Sequence, residues 1–326
     1  MDHVPGSGVR ADTGGRAGAG PLRGHLAAGG ETSGLRLRFG RGADGIERLA
    51  ASMAGDAFSP HRHDTYAIGM TLTGVQTFHY RGEQRHCLPG EWHVLHPDEL
   101  HDGAAGTDEG FGYRILYVDP CLVQEALGGA PLPFVADPVI ARHDVDPALI
   151  AWLAYMDEPL GDFERIEVTL AVARLLSRHG AVRPGQRGAL AVDALARVRD
   201  LIADDPTVRH PVAEFERISG LDRWTVARQF RAAFGTSPTR FRTMRQLDRV
   251  RLMLRAGVPP CDAAVVAGFA DQSHMTRMFG RAYGFTPACW SAALRASPWD
   301  GSRPLQAAGD GQHGAGDVRG AFRHEP

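Results

Sequence analysis

Gly268-Phe269-Ala270-Asp271-Gln272-Ser273-His274-Met275-Thr276-Arg277-Met278-Phe279-Gly280-Arg281-Ala282-Tyr283-Gly284-Phe285-Thr286-Pro287 is the stretch from which the fold of this chain can be read. Arg228-Gln229-Phe230-Arg231-Ala232-Ala233-Phe234-Gly235-Thr236-Ser237-Pro238 precedes its second half by 49 residues. Arg, Phe, an aromatic, Gly, a hydroxyl residue and Pro recur at one internal spacing. Each of these residue types has a physical task. Gly fits the left-handed backbone that stops a helix. A hydroxyl residue followed by Pro is an N-cap with Pro at the first helical position, so each copy ends one helix and starts another. Phe230 and Phe234, like Phe279 and Tyr283, lie four residues apart on one helix face and are expected in a core. Arg228 and Arg277, two residues before the Phe, point elsewhere.

Upstream of each copy lies a short helical segment and a glycine turn. In the first, Val212–Ile218 leads through Ser219-Gly220-Leu221-Asp222 to a helix over Arg223–Phe234. In the second, Ala263–Ala267 leads through Gly268 and Asp271 to a helix over Gln272–Tyr283. Helix, glycine turn, Asp cap and second helix is the helix-turn-helix layout. The second turn is one residue longer, since Gly220 and Gly268 are 48 apart. Between the units, Thr239–Arg255 reads as one helix with Phe241, Met244, Leu247 and Val250 on one face. At 1.5 Å per residue it is a rod of roughly 25 Å, able to hold two recognition helices near the ~34 Å spacing of successive major grooves.

Charge is divided in the same way. Residues 187–295 carry 17 Arg against 10 Asp plus Glu, a net of +7, while the remainder carries −9. A basic module joined to an acidic one places any polyanion on the former. The chain has no lysine, so each phosphate contact would come from a planar guanidinium fork.

From about Val192 to Leu294 these motifs resemble the DNA-binding domain of the AraC family, Gly268–His274 with Arg277, Phe279, Gly284, Thr286 and Pro287 matching that family's signature. The resemblance implies double-stranded DNA as partner, read by the exposed starts of the two recognition helices: Arg223, Trp224, Ala227 and Arg228, then Gln272, Ser273, His274 and Arg277. Arg can bond guanine bidentately and Gln can do so with adenine. Ala227 offers only a methyl contact, and His274 stands where a smaller or apolar residue would be ordinary, within reach of phosphate.

Ahead of this module, Leu35–Asp119 shows short strands, among them Tyr66–Leu72, Val75–Tyr80 and Tyr113–Val118, broken at Thr73-Gly74, Arg81-Gly82, Pro89-Gly90 and Gly103. That spacing predicts a sandwich or barrel. From Pro120 to about Val182 the period turns helical, most clearly over Glu164–His179, with Ile166, Leu170 and Ala173 on one stripe and Val168, Val172 and Leu175 beside it. A stripe that wide can cover the barrel and still meet a second copy. The expected fold class is α+β and multidomain: an N-terminal cupin-like β-barrel with following helices (35–182), a linker (183–188), and a C-terminal all-α domain with two helix-turn-helix units (189–295). The Gly- and Ala-rich ends, 1–34 and 296–326, read as a disordered arm and tail.

His61-Arg62-His63, Tyr80-Arg81-Gly82, Leu88-Pro89-Gly90-Glu91 and His101 behind Leu95–Leu100 resemble the cupin-type sensory domain of AraC-type regulators, over about Phe58 to Pro120. The resemblance implies a small-molecule effector in the barrel, with His101 and Tyr113 at lining positions, Tyr66 and Trp92 as neighbours, and His61 and His63 as further candidates. His-x-His with a distant His also suits a metal. Metal-binding cupins add a Glu four or five residues on, where this chain has Ala67 and Ile68, and Asp64 would project to the opposite strand face. A third reading has His61 and His63 capping the first strand.

No apolar run approaches the ~20 residues of a membrane span, and no signal segment opens the chain. Cys87, Cys121, Cys261 and Cys289 form no C-x-x-C pair, which argues against a zinc finger or disulfide framework and for a reducing cytoplasm. No catalytic triad motif or phosphate-cradling glycine loop is present, so neither enzyme activity nor a cofactor or metal is expected. The reading is a ligand-responsive, homodimeric transcription regulator, with RNA polymerase admitted as a further partner and no membrane. The alternative is a cupin metalloenzyme fused to a DNA-binding module.

Overall fold

The computed structural model describes residues 35–53, 58–181 and 189–295. The expected arm, linker and tail lie outside the described residues.

Nine strands come first: β1 (Arg36–Phe39), β2 (Ile46–Met53), β3 (Phe58–His61), β4 (Tyr66–Gly74), β5 (Gln76–Tyr80), β6 (Glu83–Cys87), β7 (Trp92–Leu95), β8 (His101–Ala105) and β9 (Phe111–Val118). Three two-residue strands follow, β10 (Phe134–Val135), β11 (Val139–Ile140) and β12 (Gly180–Ala181), with helices α1 (Pro120–Ala126), α2 (Pro147–Ala154) and α3 (Asp162–His179) among them. One sheet runs β1-β2-β9-β4-β7-β11, a second β3-β8-β5-β6, and β10 pairs with β12. The β5–β6 hairpin shows why the sequence turns where it does. Arg81 and Gly82 both take positive φ, 54° and 85°, as a two-residue turn between twisted strands requires.

The larger sheet is buried on both faces, and strand alternation decides which residue goes where. Ala67, Leu49, Ala51, Leu95, Tyr113 and Ile115 join Phe78 and Tyr80 of the smaller sheet in one core. Tyr66, Ile68, Met70, Trp92, Val94 and Leu116 join Val168, Val172, Leu175 and Leu176 of α3 in another. Arg48, fully buried on that second face, donates to the carbonyls of Trp152 and Tyr155 at the end of α2, 3.0 and 2.9 Å away. It thereby satisfies groups that a helix leaves unpaired.

The helical half comprises α4 (Val192–Asp204), α5 (Val212–Ser219), α6 (Arg223–Phe234), α7 (Pro238–Arg255), α8 (Pro260–Val266), α9 (Gln272–Tyr283) and α10 (Pro287–Arg295). The repeat does what its chemistry predicts. Gly235 and Gly284 stop α6 and α9 in the left-handed region, at φ 73° and 79°. Ser237 Oγ accepts from the Arg240 amide at 3.3 Å and Thr286 Oγ1 from the Cys289 amide at 3.2 Å. Asp222 caps α6 through the Trp224 and Thr225 amides, and Asp271 caps α9 through that of His274. Phe230 and Phe279 are fully buried, each burial contributing ~2 kcal/mol.

Both glycine corners also rest on the barrel. A side chain at Gly235 would bring its first carbon within 2.5 Å of Pro97 Cβ, and one at Gly284 within 2.8 Å of His61 Nδ1 and 2.9 Å of the Ser59 carbonyl. Backbone bonds cross at both places: Ser59 N–H to Gly284 O and Arg62 N–H to Arg281 O, each 3.0 Å, and Leu132 N–H to Ala232 O, 3.3 Å. Ion pairs complete the joint. Asp98, nearly buried and held at φ 61°, faces Arg231 at 2.9 Å and Arg240 at 2.8 Å. Arg245 meets Asp64 at 2.8 Å, and Arg251 meets Glu47.

Candidate functional site

The exposed starts of α6 and α9 carry the residues expected to read bases. Arg223, Trp224, Ala227 and Arg228 are exposed on α6, Trp224 to 80%, and Gln272, Ser273 and Arg277 on α9. His274 is half-buried, its ring edge-on to Phe269 at 5.5 Å. Arg223 leans toward Glu216 at 3.5 Å. Arg228 and Arg277 have no ion pair among the described residues, so their guanidinium forks stay available to a phosphate or a guanine edge. Helix N-termini pointing outward add their own attraction for anions.

A cavity of about 400 Å³ lies between the inner faces of the sheets and the second helix-turn-helix unit. Barrel residues His61, His63, His93, His101, Tyr113 and Tyr117 line it, and α7, α9 and α10 close it with Arg245, Arg251, Tyr283 and Trp290. The rings of His61 and His101 stand 4.3 Å apart and those of His63 and His101 4.8 Å. Each of these imidazoles engages a backbone carbonyl through Nδ1: His61 with Ser59 and His63 with Thr65 at 2.8 Å, His101 with Glu99 at 3.0 Å. A carbonyl only accepts, so Nδ1 carries the proton and Nε2 keeps its lone pair. Burial holds the rings neutral, pushing His61 down to about 4, His63 to about 3 and His101 well below its usual range. His93 is likewise lowered by burial, to about 4, and neither of its ring nitrogens has a hydrogen-bond partner among the described residues.

The structure brings together His61, His63, His101 and Tyr113 of the expected effector set. Tyr66 and Trp92 do not join them. Both lie on the opposite face of the larger sheet, Tyr66 against His96 at 5.2 Å and Trp92 in the core beneath the helices. Asp64 corrects the expectation in the other sense: β3 ends at His61, strand alternation lapses, and the carboxylate lines the same cavity, paired with Arg245. Burial raises its pKa to about 6 against the pull of Arg245. His93 and Tyr117 are cavity residues that the sequence reading missed. Strand parity was the available signal, His93 sharing the side of Leu95 and Tyr117 that of Tyr113. Among the described residues no set of three or more His, Cys, Asp or Glu side chains is arranged to hold a metal ion.

A barrel cavity joined to a duplicated DNA-reading unit defines a transcription regulator with a ligand-binding N-terminal domain. Residues 45–176 match the model of the AraC-like ligand binding domain, and residues 216–293 match that of a helix-turn-helix domain. The chain belongs to the AraC type of transcription regulator. It is 25% identical over 230 residues to YbfI of Bacillus subtilis (strain 168), an uncharacterized HTH-type transcriptional regulator, covering 67% of this chain and 81% of that one. In fold it is similar to ToxT from Vibrio cholerae O395, with a TM-score of 0.56 and 11% identity over 78% of this chain and 100% of that one. ToxT of strain SCE256 bound to an unsaturated fatty acid gives 0.55, with 13% identity over 83% and 99%.

Proposed function

We propose that this chain is a cytoplasmic, homodimeric regulator in which a small molecule in the cavity sets how the two recognition helices meet an operator. The observation that carries this reading is the shared wall: Met244, Arg245, Tyr283 and Trp290 of the DNA-reading half line the same space as the barrel histidines. A ligand filling it would touch both halves at once. ToxT, of the same fold, is known bound to an unsaturated fatty acid, which supports an effector at this level of the architecture. The effector and dimerisation half would span 35–182 and the DNA-reading half 189–295. Contact with RNA polymerase belongs to the same proposal, as does a regulatory role in place of an enzymatic one. The curated relative is a regulator, and the metalloenzyme alternative gains no support from any relative.

The test is fluorescence anisotropy of the full-length protein on duplexes selected from a random pool. Sequence-selective binding with a steep salt slope is expected. Arg228→Ala and Arg277→Ala should each weaken it by ~1–3 kcal/mol and relax preference at one base position. Unchanged affinity and selectivity in both variants would remove these residues from the reading surface.

A further inference from the structure

The polar wall of the cavity discriminates among ligand chemistries, and it does so by what it lacks. His61, His63 and His101 have each committed their N–H to a backbone carbonyl, so each presents a bare Nε2 acceptor. Each lining guanidinium group faces a resident carboxylate, although Arg255 stands 4.0 Å from Glu47 and Arg245 Nε has no hydrogen-bond partner among the described residues. Arg245 is paired with Asp64 at 2.8 Å and Asp248 at 3.2 Å, and Arg251 bonds both oxygens of Glu47. Lining carboxylates (Glu47, Asp64, Asp102, Asp119, Asp248) outnumber the lining arginines (Arg245, Arg251, Arg255). An entering carboxylate would face lone pairs and compete with resident acids. A group bearing O–H or N–H donors would complete these Nε2 acceptors, for which no hydrogen-bond donor stands among the described residues.

We propose that the cavity takes an uncharged small molecule with an apolar body along Leu49, Leu95 and Ile115 and a polar end of two or more adjacent hydroxyl donors directed at His61, His63 and His101, in preference to a carboxylic acid. His93 supports the same assignment independently. It lines the cavity, is 1% exposed, and carries one donor and one acceptor nitrogen with no partner for either among the described residues. A ligand with several hydroxyls can serve both functions at once. The inference rests on the reading of this cavity as the effector site, and it separates this chain from the fatty-acid-bound ToxT of the same fold.

A matched pair of probes tests it: 4-phenylbutane-1,2-diol and 3-phenylpropanoate carry the same apolar arm and differ in the polar end. Titration calorimetry on the full-length protein, with EDTA present, should give a dissociation constant for the diol at least tenfold below that for the carboxylate. His101→Leu, checked for native circular dichroism, should weaken the diol at least tenfold, and Tyr66→Phe, on the other sheet face, should leave it unchanged. The wild-type comparison stands even if the histidine variant does not fold. A carboxylate bound as tightly as the diol, no heat from the diol, diol binding that needs added zinc, or a folded His101→Leu of undiminished affinity each overturns the assignment. Operator binding by the same preparation is scored separately, so failure of the ligand class is not mistaken for failure of the regulator reading.

Discussion

At Gly284 the backbone stands at φ 79°, and the first carbon of any side chain would fall within 3 Å of His61, Phe58 and the Ser59 carbonyl. Gly82 shares the positive φ, at 85°, but has nothing within 4 Å among the described residues. Alanine at either position meets the left-handed cost of ~1 kcal/mol. Only at 284 must it also push two packed segments apart, which adds ~1–3 kcal/mol. Chemical denaturation is therefore expected to show a distinctly larger loss for Gly284→Ala than for Gly82→Ala, and equal losses would mean that this corner does not bear on the barrel. The helix-stopping half of this role was legible in the sequence, since Gly followed by hydroxyl and Pro is a local signal. The docking half was not, because its partners lie more than two hundred residues away. Tyr66 and Trp92 failed for a related reason. Both faces of the larger sheet are buried, so an apolar-with-polar-tip residue gives no hint of which face it takes.

Among the elements, α6 and α9 have the bounds that caps and glycine stops predict, and α7 begins one residue earlier than expected, at its N-terminal Pro238. Strong local punctuation makes boundaries readable. On α3 the sequence showed two apolar stripes without saying which would face the barrel. Val168, Val172 and Leu175 do, together with Ala173, while Ile166 and Leu170 remain 51% and 41% exposed and Phe163 86%. Phe163, Ile166 and Leu170 stand at helical spacing on the outer face, the surface a second copy would cover in the proposed homodimer. Replacing Ile166 and Leu170 together with Glu should convert a sedimenting dimer to a monomer, raising the dissociation constant at least 100-fold, an expected cost of ~3 kcal/mol or more. A wild-type protein that sediments as a monomer at every concentration, or a variant that still dimerises, would move the dimer interface elsewhere.

Across the whole molecule, the joint between barrel and DNA-reading half is made of acids on one side and arginines on the other. Asp98 is its most concentrated point, a 5% exposed carboxylate side chain facing Arg231, Arg240 and, at 3.9 Å, Arg62. Nothing local in the sequence announces such pairing, beyond the opposite net charges of the two halves. Asp98→Asn keeps the shape and tolerates the left-handed backbone but removes the charge. Hydrogen exchange is expected to quicken at the crossing amides of Ser59, Arg62 and Leu132, at least tenfold, while Ala50 in the middle of β2 keeps its protection. Unaltered exchange at all three crossing amides would show that packing alone holds the joint. The cavity wall drawn from both halves has a consequence for how signals run. If occupancy of the cavity changes operator affinity by some factor, equilibrium requires the operator to change cavity occupancy by that same factor. Bound DNA would then act on the cavity as an allosteric effector in its own right, so that the threshold for the small molecule at a promoter differs from its threshold in free solution.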